Sequence, residues 1–267
     1  MPNHLRLVTW NINSIRLRMP LLAQLSKDLQ PDIICLQETK VADPFFPRLD
    51  CQALGYPYVT FSGEKSYNGV TILSKIPFIE FETLKLGGKD DTRHIAVTLA
   101  NGIELHNFYV PAGGDIADPV QNPKFAHKLN FVQDMTQWFK DNRASSKPMI
   151  LVGDLNIAPL EHDVWSHKQL LDVVSHTPIE VDHLHQLYQS LTWVDVARHF
   201  VPEPAKLYSW WSYRNQDWKK SDRGRRLDHI WVTPPLVKAC KAINFFKEAR
   251  DWPQPSDHVP VVMDLVA

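Results

Sequence analysis

The sequence predicts an α/β fold, and three observations carry that expectation. Short apolar runs read as buried strands, amphipathic helical patterns stand between them, and the strands finish in polar residues. Leu5-Arg-Leu-Val-Thr-Trp-Asn-Ile is the first strand, ending at Asn11 with Asn13 two residues further on the same face. Pro20 opens a helix whose Leu21, Leu22, Leu25 and Leu29 form one apolar face, and Pro31 closes it. Asp32-Ile-Ile-Cys-Leu-Gln follows as a second buried strand with Glu38 at its end. Strand, helix and strand in so short a span make a compact α/β unit.

The elements that follow repeat this plan. Tyr56 to Ser74 reads as a hairpin turning at Tyr67-Asn68-Gly69, and Arg93 to Tyr109 as a second one turning at Asn101-Gly102. Phe125, Leu129, Val132, Met135 and Phe139 recur at helical spacing, so Pro123 to Asn142 is a long amphipathic surface helix. Met149-Ile-Leu-Val-Gly-Asp-Leu-Asn-Ile-Ala is a buried strand that delivers Asp154 and Asn156 together. Trp193 to Phe200 reads as a short helix and Arg226 to Thr233 as a strand carrying Asp228. The last strand opens at Ser256, with Asp257 and His258 at its start.

A chain of 267 residues that is 44% hydrophobic can bury a large core, and no linker or repeat divides it, so residues 1–267 read as one domain. The start Met-Pro-Asn-His-Leu-Arg lacks an apolar signal core, and no run approaches the roughly 18 apolar residues of a membrane span. The expectation is a soluble, cytoplasmic protein without a membrane partner, acting as a monomer. Cys35, Cys51 and Cys240 are odd in number and far apart, which argues for a reducing compartment over a disulfide framework. The formal net charge of −1 gives no global positive field, so any polyanion must be held by a local patch, such as the one near residues 214–226. Histidines 162, 167, 176, 183 and 185 have no spacing typical of zinc.

Polar, metal-capable or proton-capable residues gather at strand ends: Asn11, Glu38, Tyr109, Asp154 with Asn156, Asp228, and Asp257 with His258. Active sites are commonly built from loop ends on a rigid sheet. A set rich in oxygen and free of cysteine suits Mg²⁺ or Mn²⁺ better than zinc, and a hard cation with few protein ligands suits phosphate chemistry. Asp154 can take a proton or a cation, while the Asn156 amide can donate to an anionic oxygen. His258 is the proton-transfer candidate, with Asp228 as the carboxylate that holds its ring.

Eight blocks in order, Trp10-Asn-Ile-Asn, Leu36-Gln-Glu-Thr-Lys, Tyr67-Asn-Gly-Val, Asn107-Phe-Tyr-Val-Pro, Gly153-Asp-Leu-Asn-Ile-Ala, Trp211-Ser-Tyr-Arg, Gly224-Arg-Arg-Leu-Asp and Ser256-Asp-His-Val-Pro, resemble the signatures of the exonuclease III family of abasic-site endonucleases. The resemblance spans nearly the whole chain. It implies a four-layer α/β sandwich, two packed mixed sheets flanked by helices, within the endonuclease/exonuclease/phosphatase superfamily. It also implies Mg²⁺-dependent cleavage of duplex DNA 5′ to an abasic site, leaving a 3′-hydroxyl, with exonuclease or 3′-phosphatase action on blocked 3′ ends.

By the same resemblance, Asn11 and Glu38 match the metal site and Asp257 a carboxylate near it. Asp154 matches the residue that activates water or serves the leaving group, Asn156 and Tyr109 match phosphate contacts, and Asp228 with His258 match the Asp–His pair. In the wider superfamily Asp154, Asn156 and His258 also serve as ligands of a second cation, which leaves one ion or two open. Three positions depart from relatives: Ala112 replaces a polar residue, Asn13 replaces an Asp of some members, and Arg225 replaces the Trp of animal members. The stretch Ser209 to Arg226 interleaves aromatics with basic residues, as a groove for a phosphate backbone requires. The DNA-binding set is Trp210, as a pocket wall, Arg214, Lys219, Lys220, Arg223 and Arg225, joined by Asn68 and Arg93. Rival readings are another phosphodiesterase or phosphatase of the superfamily, and a DNA-binding module without catalysis.

Overall fold

A computed structural model describes residues 4–215 and 217–266. Met1 to Asn3, Gln216 and Ala267, which the sequence reading counted in the domain and, for Gln216, in the basic stretch, lie outside them. The strands are β1 (Leu5–Asn11), β2 (Ile33–Gln37), β3 (Tyr58–Ser62), β4 (Val70–Ser74), β5 (Phe78–Glu82), β6 (His94–Leu99), β7 (Glu104–Tyr109), β8 (Met149–Asp154), β9 (Val194–Asp195), β10 (Trp210–Trp211), β11 (Gly224–Arg225), β12 (Asp228–Val232), β13 (Cys240–Phe245) and β14 (Val261–Leu265). The helices are α1 (Met19–Leu29), α2 (Arg48–Ala53), α3 (Pro123–Asn142), α4 (His167–Leu170), α5 (Pro178–Ser190), α6 (Val196–Phe200) and α7 (Trp218–Ser221).

Two six-stranded mixed sheets result, ordered β13-β14-β1-β2-β4-β3 and β5-β6-β7-β8-β12-β9. Period-two alternation explains how they stack. Leu5 and Leu7 of β1, Ile33 and Cys35 of β2, and Ile150 and Val152 of β8 face one another in the core between the sheets. Their alternate neighbours face outward. Val8, Trp10, Ile34 and Leu36 pack on Leu21, Leu22 and Leu25 of α1. Met149 and Leu151 pack on Val132, Met135 and Phe139 of α3 and on Leu184 and Leu187 of α5. Each strand is therefore apolar on both faces, the pattern of a sheet covered on both sides. The layers run helix, sheet, sheet, helix, as the resemblance implies.

Some expectations needed correction. Val194 and Asp195 pair with Val232 and Trp231 of β12, so the expected helix from Trp193 begins only at Val196, with Asp195 as its N-cap. The final strand begins at Val261, and His258 makes only an isolated bridge to Trp210, so Asp257 and His258 stand in a loop ahead of it. The edge strands β5 and β13 were not anticipated. The three cysteines are free and buried, and among the described residues no helix is long and apolar enough to cross a membrane.

Buried histidines couple this packing to pH. His229 is wholly buried, with Nε2 on the Ile157 carbonyl at 2.8 Å and Nδ1 on the Arg226 guanidinium at 3.2 Å, so Nδ1 must accept and the ring stays neutral. Burial, helped by Arg226, pulls its pKa down to about 4. A depressed folded value means that stability is complete above the unfolded value of about 6.5 and is lost as the pH falls below it. His229→Gln should therefore flatten the fall of urea-derived stability between pH 6.5 and 5 by up to about 1.4 kcal/mol per pH unit. An unchanged slope would show that the ring is protonated in the folded protein.

Candidate active site

The inward faces of both sheets lead to one end of the molecule. Continuing the alternation past Leu5 and Leu7 places Asn11 on the inner face of β1; past Ile150 and Val152 it places Asp154, and back from Ile230 it places Asp228. Before that end comes a polar layer between the sheets: Gln37 Nε2 donates to Thr9 Oγ1 at 2.9 Å and to Asn107 Oδ1 at 2.7 Å. Gly153 shows how closely the strands approach there, since at φ 142° a Cβ would lie 1.9 Å from the Phe108 carbonyl oxygen. The Gly before Asp154 is therefore required by β7.

The Asn11 amide ties the sheets together by donating to Asp154 Oδ2 at 2.9 Å and to Glu38 Oε1 at 3.0 Å. Glu38 follows β2 with a left-handed φ of 53°, which turns its carboxylate into the seam. Tyr109 Oη donates to Glu38 Oε1 at 2.6 Å, and Lys40 Nζ lies 2.8 Å from Oε2. Burial opposes the charge on Glu38, but Lys40, Tyr109 and Asn11 together hold its pKa below the ordinary value. Lys40 also donates to Asn13 Oδ1 at 2.6 Å, so this lysine fills the space around the expected metal carboxylate. The sequence reading gave Lys40 no role, although its place two residues after Glu38 was the available signal.

His258 joins the second pair of acids. Its Nδ1 lies 2.8 Å from Asp228 Oδ2, and its Nε2 lies 3.7 Å from Asp154 Oδ2. Burial disfavours the cation, but Asp228 and Asp154 outweigh it and push the pKa up to about 10. Asp154 is 1% exposed. Its burial, with Asp228 nearby and against the pull of His258, raises its carboxyl to about 7. Asp228 Oδ1 is buried with no hydrogen-bond partner among the described residues. Asp154, Asp228 and His258 form a group whose ligand atoms lie within 4.8 Å of one another and could hold a metal ion.

The remaining expected residues divide. Asn156 sits at φ 53° and spends both amide hydrogens inward, on Val110 O at 2.9 Å and Asp154 Oδ2 at 3.2 Å, which leaves its Oδ1 as an acceptor. Asp257 accepts from Asn13 Nδ2 at 3.1 Å and from Trp210 Nε1 at 2.9 Å. Glu38, Asn156, Trp210, Arg214, Arg223, Arg225, Asp257 and His258 line one cleft of about 630 Å³. Ala112 lines it too, and so does Trp165, which the sequence reading passed over; Arg223 lies 4.8 Å from the Trp165 ring centroid and Arg225 5.3 Å from that of Trp210.

Lys219 turns away, pairing with Asp251 at 2.6 Å on another groove, and Lys220 is exposed on the same short helix α7. Arg93 braces the site from behind, 4.7 Å from the Tyr109 ring centroid and donating to its carbonyl at 3.3 Å. Asn68 bonds Glu64. Among the five histidines without zinc spacing, His167 and His176 bond each other at 2.8 Å, His162 bonds Glu203, and His183 and His185 bond within α5.

Residues 8–258 match the sequence family described as the Endonuclease/Exonuclease/phosphatase family. Exodeoxyribonuclease III of Haemophilus influenzae is 30% identical over 268 residues, covering 96% of this chain and 98% of that one. The fold is similar to that of an AP endonuclease from Archaeoglobus fulgidus, with a TM-score of 0.91, 31% identity, and 98% and 100% of the two chains covered. It is similar too to a 3′ phosphatase from Neisseria bound to a product DNA hairpin, with a TM-score of 0.88, 30% identity, and 98% and 99% covered.

The Asp228–His258 geometry makes a direct spectroscopic expectation. In the metal-free protein the His258 ring nitrogens should show the imidazolium form until about pH 10. Asp228→Asn removes the nearest compensating charge and should bring the transition down by at least about 1 unit. Nitrogen-15 NMR titration checks both; a neutral ring at pH 7 in the unmodified protein would refute the assignment.

Proposed function

The chain belongs to the Endonuclease/Exonuclease/phosphatase family, and from that footing we propose a DNA-repair phosphodiesterase that cuts duplex DNA 5′ to an abasic site and leaves a 3′-hydroxyl. At the same centre it would act on blocked 3′ ends as an exonuclease or 3′-phosphatase. The observation that supports this reading best is the buried Asp154–His258–Asp228 chain, whose His258 lines a cleft walled by Trp210, Arg214, Arg223 and Arg225.

The roles follow from the chemistry of each group. Asp154, with a carboxyl near 7, can take a proton from an attacking water at neutral pH, where an ordinary aspartate is a weak base. His258, kept cationic by Asp228, stabilises charge that accumulates on the phosphoryl oxygens in the transition state. The arginines meet the flanking phosphates, and Trp210 and Leu227 receive an extruded sugar against apolar surface.

The donor set fits a divalent cation: its ligands are carboxylate, amide oxygen and imidazole, and the partnerless Asp228 Oδ1 shows unmet acceptor capacity. Glu38 with Asn11 and Asp257 would hold one ion; a second ion on Asp154, Asn156 Oδ1 and His258 would require a neutral imidazole and would replace the base and cation roles given to Asp154 and His258 above. Mg²⁺, with Mn²⁺ as a substitute, would supply charge neutralisation and an acidified water when bound. We also place the protein in the cytoplasm, in keeping with its free buried cysteines, and propose that it acts as a monomer.

Digestion of a labelled duplex with one abasic analogue, beside an intact blunt duplex and a duplex ending in a 3′-phosphate, tests the reading. Cleavage 5′ to the analogue should require Mg²⁺ or Mn²⁺ and stop with EDTA. Glu38→Ala should lose most of it, and His258→Asn should lower turnover by about 10²-fold or more with duplex binding retained. Metal-independent cleavage would refute the cation site, and an intact abasic strand beside a digested 3′ end would reassign the substrate.

Salt-titrated binding separates the basic residues. Arg214→Ala, Arg223→Ala and Arg225→Ala should each reduce the slope of log affinity against log salt by about 1, as loss of one phosphate contact does. Lys219→Ala should leave it unchanged, because that ammonium is paired with Asp251 away from the cleft. The reverse pattern would move the DNA path onto α7.

A further inference from the structure

One ionic group beside the cleft has no part in the chemistry above. Lys128 lies on the inward side of α3 and is 0% exposed, although a lysine in such a place is rare unless it is paired. Its ammonium has three partners: Glu180 Oε1 of α5 at 2.5 Å, the Asn156 carbonyl at 2.7 Å and the Ala112 carbonyl at 3.2 Å. Burial pulls its pKa down while Glu180 opposes this. Gly113 packs on the lysine stem, where a Cβ would come within 2.9 Å of Lys128 Cδ.

Each partner belongs to a different wall of the cleft. Ala112 follows the strand that ends in Tyr109, and Asn156 is the left-handed residue after Asp154. Glu180 spends its other bonds on a third wall, accepting from Ser175 N at 2.9 Å, Thr177 N at 3.1 Å and Thr177 Oγ1 at 2.6 Å. Ser175 Oγ in turn accepts from Arg225 at 2.7 Å. Ala112, Asn156, Ser175 and Arg225 all line the cleft, yet no hydrogen bond among the described residues joins Ala112 to Asn156 directly.

We propose that Lys128 is a positioning residue for this site: the buried Lys128–Glu180 pair fixes the Asn156 carbonyl, and through it sets where the Asn156 amide stands against Asp154. Stability does not account for it, since a buried ion pair contributes little net stability compared with apolar residues of the same size. What an apolar pair could not do is hold two carbonyls from separate loops on one donor. A shift of about 1 Å at Asn156 would reduce turnover of every substrate by a large factor, whereas duplex binding depends on the arginines and would stay.

The inference rests on the phosphodiesterase reading, and the experiment keeps the two apart. Lys128→Met with Glu180→Gln removes both charges while keeping volume, and Glu180→Asp keeps both charges but draws the ammonium away from Asn156. With Mg²⁺ and the abasic duplex, kcat per folded molecule, with the folded fraction taken from near-ultraviolet circular dichroism, should fall about tenfold or more in the double variant and several-fold in Glu180→Asp. KM should change less than about threefold in both. In an Asn156→Ala background the double variant should cost little more, because the two changes act on one contact. If the double variant does not fold, Glu180→Asp decides alone. Turnover within twofold of the parent, or losses that add fully to that of Asn156→Ala, would reduce Lys128 to a structural strut. A parent chain that leaves the abasic duplex intact would instead overturn the reading on which the inference rests.

Discussion

The whole site depends on how buried negative charge is tolerated where the two sheets meet. Glu38, Asp154 and Asp228 are brought to one seam by three different strands, and Asp154 and Asp228 are both at most 1% exposed. An ionised carboxylate in such a place is costly unless it is matched. Lys40 answers Glu38, His258 answers Asp228, and the Asn11 amide spans the gap between Glu38 and Asp154. Asp154 is matched least directly, with the imidazole 3.7 Å away, and it is the acid whose pKa rises into the neutral range. The carboxyl that is raised is therefore the one whose donors are neutral amides and whose nearest cation stands beyond hydrogen-bond distance.

That seam imposes conditions on the architecture behind it. Asn11 can reach both acids only if β1 and β8, which lie in different sheets, end at the same level. The Thr9–Gln37–Asn107 layer sets this register, because amides in an otherwise apolar core must find partners across the sheets and tolerate no slip. Asn107 also donates to the carbonyls of Leu36 and Thr71, so the β7 strand is bonded to two strands of the opposite sheet. Apolar packing alone would permit several offsets; the polar layer selects one.

Much of this was legible in the residues, for reasons that can be stated. Strands buried on both faces produce unbroken apolar runs, so β1, β2, β8 and β12 were read from composition, and the polar residue closing each run marked the site. Edge strands have no such pattern: β13 exposes Lys241 and Ala242, and nothing in its sequence marks it as a strand. Asp257 and His258 were read into a strand because Val259 to Leu265 is apolar, yet Pro260 cannot donate to a ladder and pairing begins only after it. The direction of the Asn156 amide was illegible too. It is decided by Val110 and Asp154, and local spacing says nothing about an acceptor 46 residues away.

The basic stretch shows the same limit at the level of charge. Gly224-Arg-Arg-Leu-Asp presents two arginines in sequence, but they have different surroundings. Arg225 lines the cleft, whereas Arg226 is buried between Asp163 and Asp195, each at 2.7 Å. Lys219 is likewise taken by Asp251. A chain with net charge −1 cannot spread positive potential over its surface, and here several of its cations are already paired inside it. Within the cleft, Arg214 and Arg223 are exposed beside aromatic rings. With a net charge of −1 the surface supplies no overall positive field, so recognition of a polyanion depends on where the individual cations stand, and the cleft is where arginines and aromatic rings stand together.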